Sequence, residues 1–212
     1  SQVYAQKTVP PISGDSTKNL DEVVITATKF PIKQSLTGKV ITIINQQQLQ
    51  RNSGKSLTEL LNTQAGVIIN GSSNVMGTNQ DVFLRGAAAG KTLILLDGIP
   101  VYDASGISGA FDLNMINADQ VEGVEILKGS QSTLYGSDAI AGVINIISKK
   151  GGAKKINVTA NIAAGSYNTF KAAVGLNGTV KNSNYNIQYT KLNSKGFSTA
   201  QDKTGIANFD KD

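Results

Sequence analysis

Three places in this sequence carry residue types at spacings that bear on chemistry. The run Gly86-Ala-Ala-Ala-Gly90-Lys91-Thr92 approaches a phosphate-binding loop, which needs two glycines with four residues between them, then Lys and Ser or Thr, opening a helix. Here the spacing is one residue short, and Arg85 stands where the first glycine belongs. The following TLILL reads as a strand, so no helix N-terminus is available to hold a phosphate. A hairpin turn between Val82-Phe83-Leu84 and Leu93 to Leu96 is the better reading. Arg85 itself follows an apolar run, and a guanidinium there is expected to be partly buried and to need a carboxylate, with Glu122 and Glu125 as internal candidates. Near the end, Asp210 and Asp212 lie two apart with Asp202 upstream, a spacing at which carboxylates share a calcium ion.

Most other chemistry is absent. The chain has no His and no Cys, which excludes a Ser-His-Asp triad, a cysteine nucleophile, and zinc held by imidazole or thiolate. The reading is that of a non-enzyme with no required cofactor. Net charge is +5, yet the lysines are scattered and the only arginines are Arg51 and Arg85, so there is no basic stripe for nucleic acid. No apolar run approaches the roughly 18 residues of a membrane helix, so any contact with lipid must be made by strands.

The elements that position these residues come from a chain with 22 glycines and 40% apolar residues, a turn-rich composition that favours β structure. Ser1 to Ala5 holds only the trace of an export signal, equally well read as a frayed terminus, and Gln6 to Asn19 reads as a flexible arm. Leu20 to Phe30, LDEVVITATKF, is a strand-former on that tether. It suits either pairing with the sheet edge of another protein or addition to this protein's own sheet. Lys39 to Asn45 is a predicted strand. Gln46 to Ala65 is predicted helical, with a Gly54 interruption, a Ser56/Glu59 capping box and an end at Gly66. Val67 to Ile69 is a further strand, and Asn70 to Gln80 a polar loop. From Asp81 to Lys150 four short apolar runs close on Gly, Asp or Lys, as buried strands do. The order points to an α+β domain, helices packed on a small mixed sheet.

The succession FLRG, TLILLDGIPVYD and VEGVEILKGSQSTLYGSDAIAGVINIISKK resembles the plug domain of TonB-dependent outer-membrane receptors, and Leu20 to Thr28 resembles their TonB box. The resemblance implies a plug of mixed sheet inside a 22-stranded barrel of a Gram-negative outer membrane, with its arm facing the periplasm. It also implies capture of Glu22, Val23, Val24, Ile25, Thr26 and Ala27 by the periplasmic domain of TonB, and uptake of a large scarce ligand. Two loops are similar to the ligand-contacting loops of cobalamin receptors, making cobalamin or a related corrinoid the expected ligand and an iron chelate the alternative. Their candidate contacts are Ser72, Ser73, Asn74, Met76, Asn79, Tyr102, Ser105, Ser108 and Phe111. By the same resemblance Arg85 gains carboxylates of the barrel wall as partners, Asp210 and Asp212 correspond to calcium ligands of an outer loop, and a ligand-capturing surface lipoprotein joins the expected partners.

After Gly152 the pattern becomes strict alternation. Ile156 to Ala164, Phe170 to Leu176 and Tyr185 to Tyr189 are three strands with one apolar face, as in the wall of a lipid-embedded barrel. A half-exposed soluble sheet shows the same alternation, and an exported binding module without energy coupling stays open as the other class. Three strands cannot close a barrel, and open edges in lipid leave backbone groups unsatisfied. The remaining strands are therefore expected from a continuation of the same protein or from a complementary chain. The expected organisation is an arm over 1–19, a TonB-box region over 20–30, a plug over 31–152 and barrel strands over 153–212.

Overall fold

The structure, a computed structural model, describes residues 24–28, 32–33, 38–71, 80–106, 108–151 and 154–196. Along the chain the strands are β1 (Val24–Ile25), β2 (Ile32–Lys33), β3 (Val40–Ile44), β4 (Val67–Asn70), β5 (Asp81–Leu84), β6 (Thr92–Leu96), β7 (Ile99–Val101), β8 (Val121–Lys128), β9 (Gly142–Ser148), β10 (Asn157–Gly165), β11 (Thr169–Val180) and β12 (Ser183–Asn193). The helices are α1 (Gln46–Arg51), α2 (Leu57–Asn62) and α3 (Ser132–Tyr135).

The domain expected to be a plug is built on a five-stranded sheet in the order β3-β8-β9-β6-β7. It is mixed as expected, with β6 parallel to β9 and the other neighbours antiparallel. Alternation sends Val124, Ile126, Ile94, Ile144 and Ile146 to one face, where they meet Leu57, Leu60 and Leu61 of α2. Leu127, Leu93, Leu95 and Val143 go to the other face. Covering both faces explains why these strands read as nearly unbroken apolar runs.

Two expectations change. The predicted helix over 46–65 is two short helices, because Asn52 ends α1 and Ser56 begins α2. Each has its own capping box, Asn45 with Gln48 and Ser56 with Glu59, and side chains that bond to backbone this way favour helix ends over helix interiors. Nor do β5 and β6 form a hairpin. Strand β5 pairs antiparallel with β4 in a separate two-stranded sheet. β4 alternates buried and exposed residues, and in β5 Val82 and Leu84 are buried while Asp81 is exposed, which suits a sheet with one covered face. In β6 four successive residues are buried, which requires cover on both sides and places it inside the main sheet.

Strands β10, β11 and β12 form an antiparallel meander in that order. Its turns use left-handed backbone at Tyr167, Asn168 and Lys181. The rows Val158-Leu176-Ile187 and Ala160-Val174-Tyr189 share one face by register, and Ile162 and Tyr189 remain 73% and 70% exposed. On the other face Ala173 is buried and lines a recess with Leu49, Asp119 and Val121. An apolar outer face over a polar inner one is the barrel-wall arrangement.

Candidate functional site

The candidate site begins with two polar residues inside apolar strands. Glu125 lies in VEGVEILK and Asn145 in GVINIIS, and the register sets them directly opposite each other. Both are buried, at 3% and 0% exposure. A buried carboxylate needs donors, and these come from the segment Val24 to Thr28. The backbone N–H of Thr26 donates to both Glu125 oxygens at 3.0 Å, and that of Ala27 donates to Oε2 at 2.7 Å. Thr26 Oγ1 lies 3.1 Å from Oε2 and accepts from Asn145 Nδ2 at 3.0 Å. Tyr135 Oη donates to the carbonyl of Ala27 at 3.0 Å.

Around these bonds Ile25 and Ala27, both fully buried, pack with Leu93, Leu95, Leu127 and Val143. Thus the segment does not add a strand to the main sheet. It lies over the sheet's face, while Val24–Ile25 pairs with Ile32–Lys33 in a two-stranded piece of its own. Of the expected partner-binding residues, Val24 to Ala27 have described backbone; Glu22 and Val23 lie outside the described residues.

A second feature is a shallow recess where β6 starts and β7 ends. Tyr102, Ser108 and Phe111 line it together with Asp138, so three of the expected ligand residues converge. Ser105 instead turns to Asp103, donating from its backbone at 2.8 Å and from its hydroxyl at 2.6 Å. These two bonds, the hydroxyl one first, hold the Asp103 carboxyl below the usual aspartate range. Gly90 explains the near phosphate loop differently. Its φ is +79°, and a Cβ there would lie 2.5 Å from the Ser108 carbonyl oxygen, so glycine is needed for the loop to pass. Ser72, Ser73, Asn74, Met76 and Asn79 lie outside the described residues, as do Asp210 and Asp212.

Arg85 departs from expectation. It is exposed, at a φ of +53°, because the chain turns sharply out of β5 there. Glu122 is exposed as well, and Glu125 is engaged by Thr26, Ala27 and Asn145, so the expected internal pairing does not form. Among the described residues, Asp119 and Lys171 of β11 form an ion pair at 2.6 Å that joins the mixed-sheet domain to the meander. Asn161 Nδ2 of β10 reinforces it, donating to Asp119 Oδ1 at 3.2 Å. The available signal for Asn145 and Glu125 was polarity inside apolar runs; for Asp119 and Lys171 the sequence offered none.

Comparison with known proteins agrees with this geometry. The family model described as TonB-dependent Receptor Plug Domain matches residues 33–143. A vitamin B12 transporter of Vibrio cholerae serotype O1 is 35% identical over 157 residues, covering 74% of this chain and 25% of its own length. This chain therefore spans about a quarter of the curated relatives it matches. The crystal structure of a ferric enterobactin receptor mutant from Pseudomonas aeruginosa is 28% identical with a TM-score of 0.58, covering 80% of this chain and 26% of that one. The ferripyoverdine receptor of the outer membrane of the same organism, at 19% identity and a TM-score of 0.66 over 80% of this chain and 22% of that one, shares the fold. By its plug sheet, its lipid-ready strands and this match over more than half its length, the chain belongs to the TonB-dependent receptor plug family, with the first strands of the barrel attached.

Proposed function

We propose that this chain is the plug and opening barrel wall of a receptor that takes up a corrinoid such as vitamin B12, energised through TonB. The family's place is the outer membrane of Gram-negative bacteria, and its members are receptors and transporters. The observation that carries the ligand reading is the 35% identity with a vitamin B12 transporter over 157 residues. The recess with Tyr102 and Phe111 beside Ser108 supports it, since a large ligand of mixed polarity needs apolar faces and hydroxyls together. In this reading ligand settles on the recess and is also met by Ser72, Ser73, Asn74, Met76 and Asn79, and TonB pairs with Glu22 to Ala27 as an added strand.

A second reading is kept because ferric enterobactin receptor structures are 28% and 29% identical: the ligand is an iron chelate on the same scaffold. Titration of the full-length receptor with cyanocobalamin and, separately, with a ferric catecholate chelate decides between them. Saturable binding of the first alone is expected. Binding of only the chelate overturns the corrinoid reading. A parallel isotherm with a purified TonB periplasmic domain should show binding that Val24→Pro abolishes, because proline removes a donor that strand pairing needs. Equal binding by the variant would remove the strand-pairing step.

A further inference from the structure

Glu125 has no reason to be buried unless something donates to it. Apart from Asn145 Nδ2 at 3.4 Å, the donors that reach its oxygens are Thr26 and Ala27. Successive N–H groups of a strand point to opposite sides, so one carboxylate can take both only where the backbone turns. Ala27 and Thr28 form that turn. The Ala27 carbonyl is taken by Tyr135 in the same conformation. Whichever of the Thr26 and Ala27 N–H groups an extended, strand-paired Glu22–Ala27 would present to its partner is therefore already committed, as is the Ala27 carbonyl, in a turned geometry that strand pairing cannot use.

We propose that Glu125, with Asn145 and Tyr135, is a polar clamp that seats Ile25 to Thr28 on the plug in a turned conformation, so that seating and strand capture exclude each other. Glu125 is a positioning residue, acting on the partner-binding segment through its backbone. Asn145 is itself fixed, since its Oδ1 accepts from the Gly98 N–H at 3.0 Å while its Nδ2 faces Thr26. The clamp holds by hydrogen bonds over a small apolar contact, a combination that can open locally while the rest of the sheet stays folded. This inference rests on the proposed TonB reading for the identity of the competing strand, but not for the clamp itself.

Residues 1–212 contain no cysteine, so Ile25→Cys in the full-length receptor, with any cysteine outside these residues replaced by serine, supplies a single thiol at a fully buried position. Its labelling by a maleimide reports unseating. Adding Glu125→Ala should raise the labelling rate about tenfold or more, the scale expected for losing hydrogen bonds to a charged acceptor. Tyr135→Phe, which removes the donor to the Ala27 carbonyl, should raise it a few-fold, about 2–5 times. Hydrogen exchange in β9 should stay protected, which separates unseating from loss of the plug; should Glu125→Ala fail to fold, Tyr135→Phe and Glu125→Gln carry the same comparison. Unchanged labelling in variants whose β9 stays protected overturns the clamp. A purified TonB periplasmic domain should bind the Glu125→Ala receptor more tightly than the unmodified one, and equal affinity overturns the mutual exclusion. If labelling rises but no receptor form binds that domain, the clamp stands and the TonB reading falls.

Discussion

The two faces of the five-stranded sheet are covered in opposite ways. On one, Ile94, Val124, Ile126, Ile144 and Ile146 meet α2 and the β4–β5 sheet through apolar side chains, and chain connectivity holds the cover in place. On the other, the apolar patch of Leu93, Leu95, Leu127 and Val143 is interrupted by Glu125 and Asn145, and a short piece of the N-terminal segment lies across them. Apolar burial is non-directional and scales with area, so the first cover contributes most of the stability. Hydrogen bonds to a carboxylate are directional and leave when their donors turn away. The difference teaches that the plug separates what must stay folded from what must be able to leave.

The strongest test of that contrast is Ile144→Ala on the helix-covered face, where a cavity in a closed core should cost about 2–5 kcal/mol in denaturant unfolding of the plug. A loss below that range would mean the face is less tightly packed than its burial indicates. Gly90→Ala should come next, at about 1–3 kcal/mol, because alanine must adopt a left-handed backbone while its Cβ meets the Ser108 carbonyl. Ligand affinity should fall with it; a variant that binds normally would disconnect the recess from the loop. Asp119→Asn breaks the pair with Lys171, whose side chains are 13% and 19% exposed, and should weaken the contact between plug and first strands by about 1 kcal/mol. Hydrogen exchange at β10 and β11 reads this out.

Smaller still is the effect expected at the other face. Ile25→Ala should lower the plug's unfolding free energy by under about 1 kcal/mol, because the segment can lift away locally and the loss cannot exceed its own seating energy. A loss matching Ile144→Ala would erase the distinction between the two faces. Last comes Asp103, whose carboxyl titrates below the ordinary aspartate range because Ser105 bonds to its charged form. A depressed native value means this contribution is present above the unfolded value and disappears as pH falls through the native one. A nuclear magnetic resonance titration should show the Asp103 midpoint rising toward ordinary values in Ser105→Ala.

Legibility in the sequence followed the reach of each interaction. The Ser56/Glu59 box and the alternation of β10 to β12 depend on neighbours within a few residues, and both were readable; the helix expected to run to Gly66 stops earlier, capped at Thr63. Arg85 was read as the partly buried charge in need of a partner, and Glu125 entered only as one of its two candidate carboxylates, because nothing local distinguishes one distant partner from another. The actual donors to Glu125 lie 99 and 98 residues away, and Asn145 and Tyr135 passed unremarked for the same reason. The β5–β6 hairpin failed because a turn signal says that the chain reverses, not which strand receives it.

What the residues determined unaided was therefore the periodicity: which runs are covered on two faces, which on one, and which apolar stripe looks outward toward lipid. Period and turn chemistry are properties of the local backbone, so they survive without coordinates. Only the tertiary structure decided that Glu125 faces Asn145 across the β8–β9 register and that Thr26 and Ala27 turn over both. Register and long-range donors depend on the packing of the whole sheet, where every strand's position is set by its neighbours.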